Sequence, residues 1–268
     1  MKRIASFLSS LSIQRITVPC LCLMLVLICL FSFQKQLTPT SGIVSSRKLP
    51  IYCVNTESPK VAISFDAAWG NEQTETLLSI LEKYHVKTTF FMTGGWVESY
   101  PDDVKAIAAA GHDLGNHSEN HKQMSTLSAD ECKQEIQKVH DKVKELTGQD
   151  MILFRPPYGD YNDTLIDAAN SLGYHVIQWD IDSLDWKDYG ADNIVSRVVD
   201  NDHLGNGSII LMHNGAKYTP DALERVITGL QEKGYEIVPI SQLIYKENYE
   251  MDHEGRPVSY THLTLPTT

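Results

Sequence analysis

Four polar clusters in this chain each follow an apolar run. They are Ser64-Phe65-Asp66, His117-Ser118-Glu119-Asn120-His121, Arg155-Pro156-Pro157-Tyr158-Gly159 and Leu211-Met212-His213. A fold that gathers the ends of these runs would bring together a carboxylate, a histidine pair, an arginine and a third histidine. Those are the parts of a metal-assisted hydrolase. His117 and His121 stand four residues apart, so one helical turn would set both imidazoles on one side, a spacing suited to Zn²⁺. Two exposed loop histidines are the blander alternative. Asp66 ends an apolar strand pattern, where a carboxylate serves as a general base or as a helix N-cap. Arg155 is followed by two prolines that fix a rigid extended turn, which suits an arginine that orients a carboxylate through a forked pair. His213 reads as a general acid whose protonation an acidic partner supports, and Asp182 and Asp185 are the candidate partners. Trp186, beside them, offers a stacking surface for a sugar, and Trp69 and Trp96 are similarly placed. One part is missing: the residue after Asp66 is Ala67, where such a site would benefit from a second carboxylate.

The elements that must position these groups alternate. Short β-branched or aromatic runs near 61–65, 88–92, 112–115, 151–154, 175–179, 208–212 and 236–239 predict about seven strands. Helical patterns at 73–84, 101–110, 128–147, 163–172, 191–201 and 220–232 separate most of them. The clearest helix opens with the capping box Ser128-Ala129-Asp130-Glu131. It continues with Cys132, Ile136, Val139, Val143 and Leu146 on one stripe, and it stops at Gly148. Strands alternating with helices imply an α/β fold with a parallel sheet, either open or closed into a barrel. In both, reactive groups collect at the carboxyl ends of the strands, where the polar clusters sit.

The ends of the chain differ from this core. Lys2, Arg3 and Arg15 precede an uncharged run from Ile16 to Phe33, which at roughly 18 residues reaches the length of a membrane span. The run lacks a small-residue cleavage pattern, so an uncleaved signal anchor over 1–36 is expected rather than a cleaved signal. The flanking charges place the N-terminus in the cytoplasm, giving a single-pass cell-membrane protein with its outer domain extracytoplasmic. Residues 37–57, rich in Ser, Thr and Pro, read as a linker before a domain at 58–250. The last stretch, 258–268, resembles a sequencing adapter translated in frame, and fold reasoning leaves it aside. The first 36 residues carry four basic and no acidic side chains, leaving 19 basic against 34 acidic, about −15, for the rest. That excess argues against nucleic acid, which Lys and Arg must bind. Cys20, Cys22 and Cys29 lie in the apolar run, and Cys53 and Cys132 alone make no disulfide framework.

In this order and spacing, the clusters resemble the polysaccharide deacetylases of the NodB-homology class, carbohydrate esterase family 4, over roughly 58–245. Ser64-Phe65-Asp66-Ala67-Ala68-Trp69-Gly70 and Asp182-Ser183-Leu184-Asp185-Trp186-Lys187 are most similar to the membrane-anchored, sporulation-type (PdaB-like) members. The resemblance implies a distorted (β/α) barrel with fewer than eight units and a divalent metal, usually Zn²⁺ with Co²⁺ or others as alternatives. It also implies hydrolysis of N-acetyl groups on cell-wall glycan, with peptidoglycan the expected polymer. By this likeness His117 and His121 match metal ligands, Asp66 the catalytic base, and Arg155 the arginine that holds the base. Tyr158 matches the residue whose backbone N–H stabilises the oxyanion. Asp185 matches the tether of the catalytic histidine, His213 that histidine, and Leu211 the wall around the acetyl methyl. Ala67 departs from the family pattern, whose second aspartate ligates the metal. The alternative that follows from Ala67 is a catalytically impaired, glycan-binding relative.

Overall fold

The computed structural model describes residues 47–260, and the apolar run 16–33 lies outside them. Among the described residues no helix is long and apolar enough to cross a membrane. The core is a parallel sheet. Strand β1 (Lys60–Ala67) is central and almost wholly buried, as a parallel strand covered on both faces must be. Outward on one side lie β2 (Thr89–Met92), β3 (Asp113–Asn116), β4 (Leu153–Phe154) and β5 (His175–Val176). On the other side lie β7 (Ile209–His213) and then β6 (Ile181–Asp182). A further short strand, β8 (Glu236–Ile237), pairs with the start of β1. The seven-strand path forms a curled half-barrel. Its edge strands, β5 and β6, do not pair with each other, and the chain before β1 runs from the β5 edge to the start of β7. Ile51 pairs beside Ile177 at the β5 edge, and the Val54 N–H donates to Gly207 just before β7. The expected linker 37–57 therefore ends early. Ile51 and Val54 are buried and hydrogen-bonded, and the folded unit starts at Arg47.

Most helices cover the outside of this sheet, whereas the last packs Ile240 and Leu243 with Ala62, Phe91 and Leu153 on the face that also carries Ser64 and Asp66. The helices are α1 (Thr74–Lys83), α2 (Gly94–Ser99), α3 (Pro101–Ala109), α4 (Ala129–Thr147), α5 (Asp163–Ser171), α6 (Ala191–Val199), α7 (Thr219–Glu232) and α8 (Ile240–Leu243). In α4 the expected signals act as read. Ser128 and Glu131 close a reciprocal capping box, and Gly148 ends the helix at φ 72, where a side chain would be strained. Its buried stripe of Cys132, Ile136, Val139 and Val143 contributes roughly 1.5–3 kcal/mol for each large side chain removed from water. Alternation along β1 sorts its side chains. Val61, Ile63, Phe65 and Ala67 join the main apolar cluster, whereas Ser64 and Asp66 point to the other face. Tyr249–Met251 and Pro257–Ser259 pair as a small antiparallel hairpin, β9 and β10.

Candidate active site

Parallel register brings the polar clusters to one end of the sheet. Asp66 on β1 pairs in register with His213 on β7, so both side chains leave the same face on strands about 4.8 Å apart. His117 and Arg155 each follow directly on β3 and β4. A cavity of about 410 Å³ opens there, lined by Asp66, Ala68, Trp69, His117, His121, Tyr158, Trp179, Asp182, Trp186, Leu211 and His213.

Arg155 and Asp185 stand behind this lining rather than in it. Arg155 is fully buried and donates from Nη1 to Asp66 Oδ1 at 2.6 Å. Its Nη2 donates to Ser64 Oγ at 2.8 Å and to the Gln178 carbonyl at 3.2 Å. Its guanidinium carbon lies 4.1 Å from the centre of the Phe91 ring. Burial alone would push the Asp66 carboxyl up, but Arg155, His117 and His213 together hold it below the usual carboxylate value. Asp66 is thus ionised with one oxygen pinned, and its Oδ2 lies 3.5 Å from His117 Nε2.

Asp185 holds His213 at two points. Oδ1 lies 2.7 Å from His213 Nδ1, and Oδ2 accepts the His213 backbone N–H at 2.7 Å. Thr219 Oγ1 donates to Oδ2 at 2.6 Å. Burial disfavours the imidazolium, yet the Asp185 hydrogen bond and charge outweigh it and raise the His213 pKa above its ordinary value. With Nδ1–H spent on Asp185, Nε2 is the nitrogen free to give a proton. Asp182, the other candidate partner, instead accepts the Leu184 N–H at 2.8 Å and lines the cavity.

The histidine pair sits in a different environment. His117 Nδ1 is 2.8 Å from the Arg155 carbonyl. A carbonyl only accepts, so Nδ1 carries the proton and Nε2 keeps its lone pair, the arrangement of a metal-ligating histidine. Burial drives the His117 pKa down to about 4 despite the Asp66 charge. The rings of His117 and His121 lie 4.9 Å apart, and Tyr158 lies edge-on to His121 at 4.5 Å. Ser118, His121 and Tyr158 all have φ between 51 and 65, so the loops that shape this side hold backbone strain of on the order of 1–3 kcal/mol each. The pair follows a strand in a loop rather than on a helical turn.

Whether these residues fit a metal depends on the third donor. Ala67 is fully buried with Phe65 and Met92 in the apolar cluster and does not line the cavity. Asp66 Oδ1 is taken by Arg155. Among the described residues no group of three or more His, Cys, Asp or Glu side chains is arranged to hold a metal ion. Two imidazoles fall short of the three protein ligands of a catalytic Zn²⁺ site. The donor set does not fit, and the chemistry below is derived from protein groups alone.

Two supporting residues were given no role in the sequence reading, Glu135 and Ser64. Glu135 on α4 is buried and accepts from Asn120 N at 2.9 Å and Asn120 Nδ2 at 2.8 Å, bracing the loop that carries both histidines. Ser64 was legible in principle, because it lies two residues before Asp66 on the same face of β1. Glu135 was not, since nothing local distinguishes it from the other charged residues of α4.

Residues 54–177 match the polysaccharide deacetylase family. The uncharacterized YlxY protein of Bacillus subtilis is 35% identical over 78% of this chain, which spans 65% of that relative's length. The peptidoglycan-N-acetylmuramic acid deacetylase PdaA of B. subtilis is 31% identical, with 75% of this chain and 77% of that protein covered. Wild-type BA3943 of Bacillus anthracis, a CE4 family pseudoenzyme, superposes at TM-score 0.70 with 34% identity over 78% of this chain and 70% of that one. A BA3943 mutant with restored enzymatic activity superposes at the same TM-score with 35% identity, covering 78% and 72%. The chain belongs to the polysaccharide deacetylase family, a family of hydrolases that in general depend on a metal.

Proposed function

We propose that this chain hydrolyses the N-acetyl amide of cell-wall glycan, with peptidoglycan as the polymer. One observation carries the reading: two buried carboxylate pairs, Asp66–Arg155 and His213–Asp185, converge on one cavity. Asp66 Oδ2 takes a proton from a water as that water attacks the acetamide carbonyl. The C–N bond then breaks, and His213 Nε2–H delivers a proton to the leaving amine, so acetate and a free amino sugar result. Arg155 and Asp185 position these two groups without touching substrate. Leu211 faces the acetyl methyl, Tyr158 supplies its backbone N–H to the developing oxyanion, and Trp186 stacks on a sugar ring.

A divalent cation on His117 and His121, Zn²⁺ by family habit, belongs to this reading only as a weakly held addition. The likeness to PdaA supports peptidoglycan as substrate. The motif around Asp66 supports a sporulation-type role, and the apolar run 16–33 supports anchoring with the domain outside the membrane. Purified chain incubated with N-acetylated peptidoglycan should release acetate, more with added Zn²⁺ or Co²⁺ than with chelator. Absence of acetate under every metal would sink the hydrolase.

Ala67 and the likeness to BA3943 favour a second reading, a glycan-binding relative with impaired chemistry. It predicts retention on peptidoglycan with no acetate release.

A further inference from the structure

We propose that Trp69 is a sugar-stacking platform at the mouth of the cavity and orients the glycan over Asp66 and His213. This rests on the glycan-site reading and names a residue that sets how the polymer lies. The starting point is a contrast between two tryptophans. Trp96 is 2% exposed, whereas Trp69 leaves 44% of its surface in water. With Tyr158 and Trp186, also exposed and lining the same cavity, it makes an exposed aromatic patch of the kind that marks a binding groove.

Trp69 is also held still. The next residue, Gly70, turns at φ 56, and its carbonyl accepts the Trp96 Nε1–H at 2.6 Å. A Cβ on Gly215 would lie 2.3 Å from the Trp69 carbonyl oxygen and 2.7 Å from its Cδ1 and Nε1, so the absence of a side chain there makes the seat for the indole. The ring centre lies 5.1 Å from that of His213, at 33°. An aromatic face already fixed in place binds without an ordering cost.

Strand order completes the geometry. β7, which ends at His213, lies between β1 and β6. Trp69 follows β1 and Trp186 follows β6, so the two indoles rise on either side of the proton donor. The strands that carry them are two spacings apart, roughly 10 Å, which suits two rings of an extended N-acetylated polysaccharide separated by one intervening ring.

The test is calorimetric titration of the full chain with chitotetraose, a β-1,4 tetramer of N-acetylglucosamine, at a pH where no acetate is released. Four proteins are compared: wild type, Trp69→Ala, Trp69→Leu and Trp69→Phe. Leucine fills the seat without a flat face, and phenylalanine restores a face. The expected result is weakening of about three- to tenfold in the Ala and Leu variants, the scale of one aromatic contact. The Phe variant should stay within about twofold of wild type. Equal affinity in all four, or equal loss in Leu and Phe, would overturn the platform while leaving the glycan site standing. Wild-type protein that binds neither chitotetraose nor peptidoglycan strands would overturn the glycan site and the platform together.

Discussion

The two sides of the cavity use their histidines in opposite ways. His213 is bonded to a carboxylate and is raised toward the charged form. His117 is bonded to a neutral carbonyl and is driven down to about 4. Burial disfavours charge at both, so the bonded partner decides which stays protonated. The acid–base side is fully supplied: Asp66 has Arg155, and Asp185 has Thr219 and the His213 backbone. The histidine-pair side has oriented rings and a braced loop but a methyl where its third ligand belongs. On the proposed roles, the proton-handling half is therefore complete, and the cation-binding half is not.

Breaking the complete half should have the largest effect. Asp66→Asn removes the base and should lower acetate release by about 10²- to 10⁴-fold. It also strands the buried Arg155 charge, a loss of roughly 3–5 kcal/mol readable by urea denaturation. Asp185→Asn should cost about 10²-fold or more and move the alkaline limb of the pH–rate profile down. That limb lies above 6.5 in wild type, because the His213 pKa is raised. The acid limb lies below 3.8, because the Asp66 pKa is lowered. The same shifts give stability a sign. The His213–Asp185 contribution is fully present below pH 6.5 and is lost as pH rises through the folded His213 value. The Asp66–Arg155 contribution is present above pH 3.8 and is lost as pH falls through the folded Asp66 value.

Repairing the other half would sharpen the contrast. An Ala67→Asp carboxylate would replace a fully buried methyl. Without metal this variant should melt several degrees below wild type. Added Zn²⁺ should raise its melting temperature more than that of wild type. Equal metal-induced shifts in both proteins would mean that position 67 does not limit cation binding. The smallest expected effect is at the brace. Glu135→Gln should cost about 1–2 kcal/mol, or roughly 2–8 °C, and should reduce cation retention while leaving the pH limbs in place.

Much of this was legible in the sequence because each site residue lies at or just after a strand end, where chain order alone predicts convergence. The strands at 60–67, 89–92, 113–116 and 209–213, and every helix read from periodicity, lie within a few residues of expectation. The two-residue β6 at Ile181–Asp182 was missed, since so short a run has no period to detect. Spacing alone left Asp182 and Asp185 open, and it was the family likeness that pointed to Asp185, the residue bonded to His213. The choice depends on the Leu184 turn at φ 51, which sends Asp182 to a backbone N–H and Asp185 to His213. The early edge of the folded unit was hidden for a similar reason. Ile51 and Val54 sit among turn-forming residues, and only the unpaired sheet edges show why that segment is held.

The most direct test is acetate release from N-acetylated peptidoglycan by wild type and Asp66→Asn side by side, in chelator and in Zn²⁺. The expected result is slow release by wild type that rises with Zn²⁺ and disappears in Asp66→Asn under both conditions. Equal rates in the two proteins, or no release by wild type that nonetheless stays on the glycan, would contradict a working acid–base half.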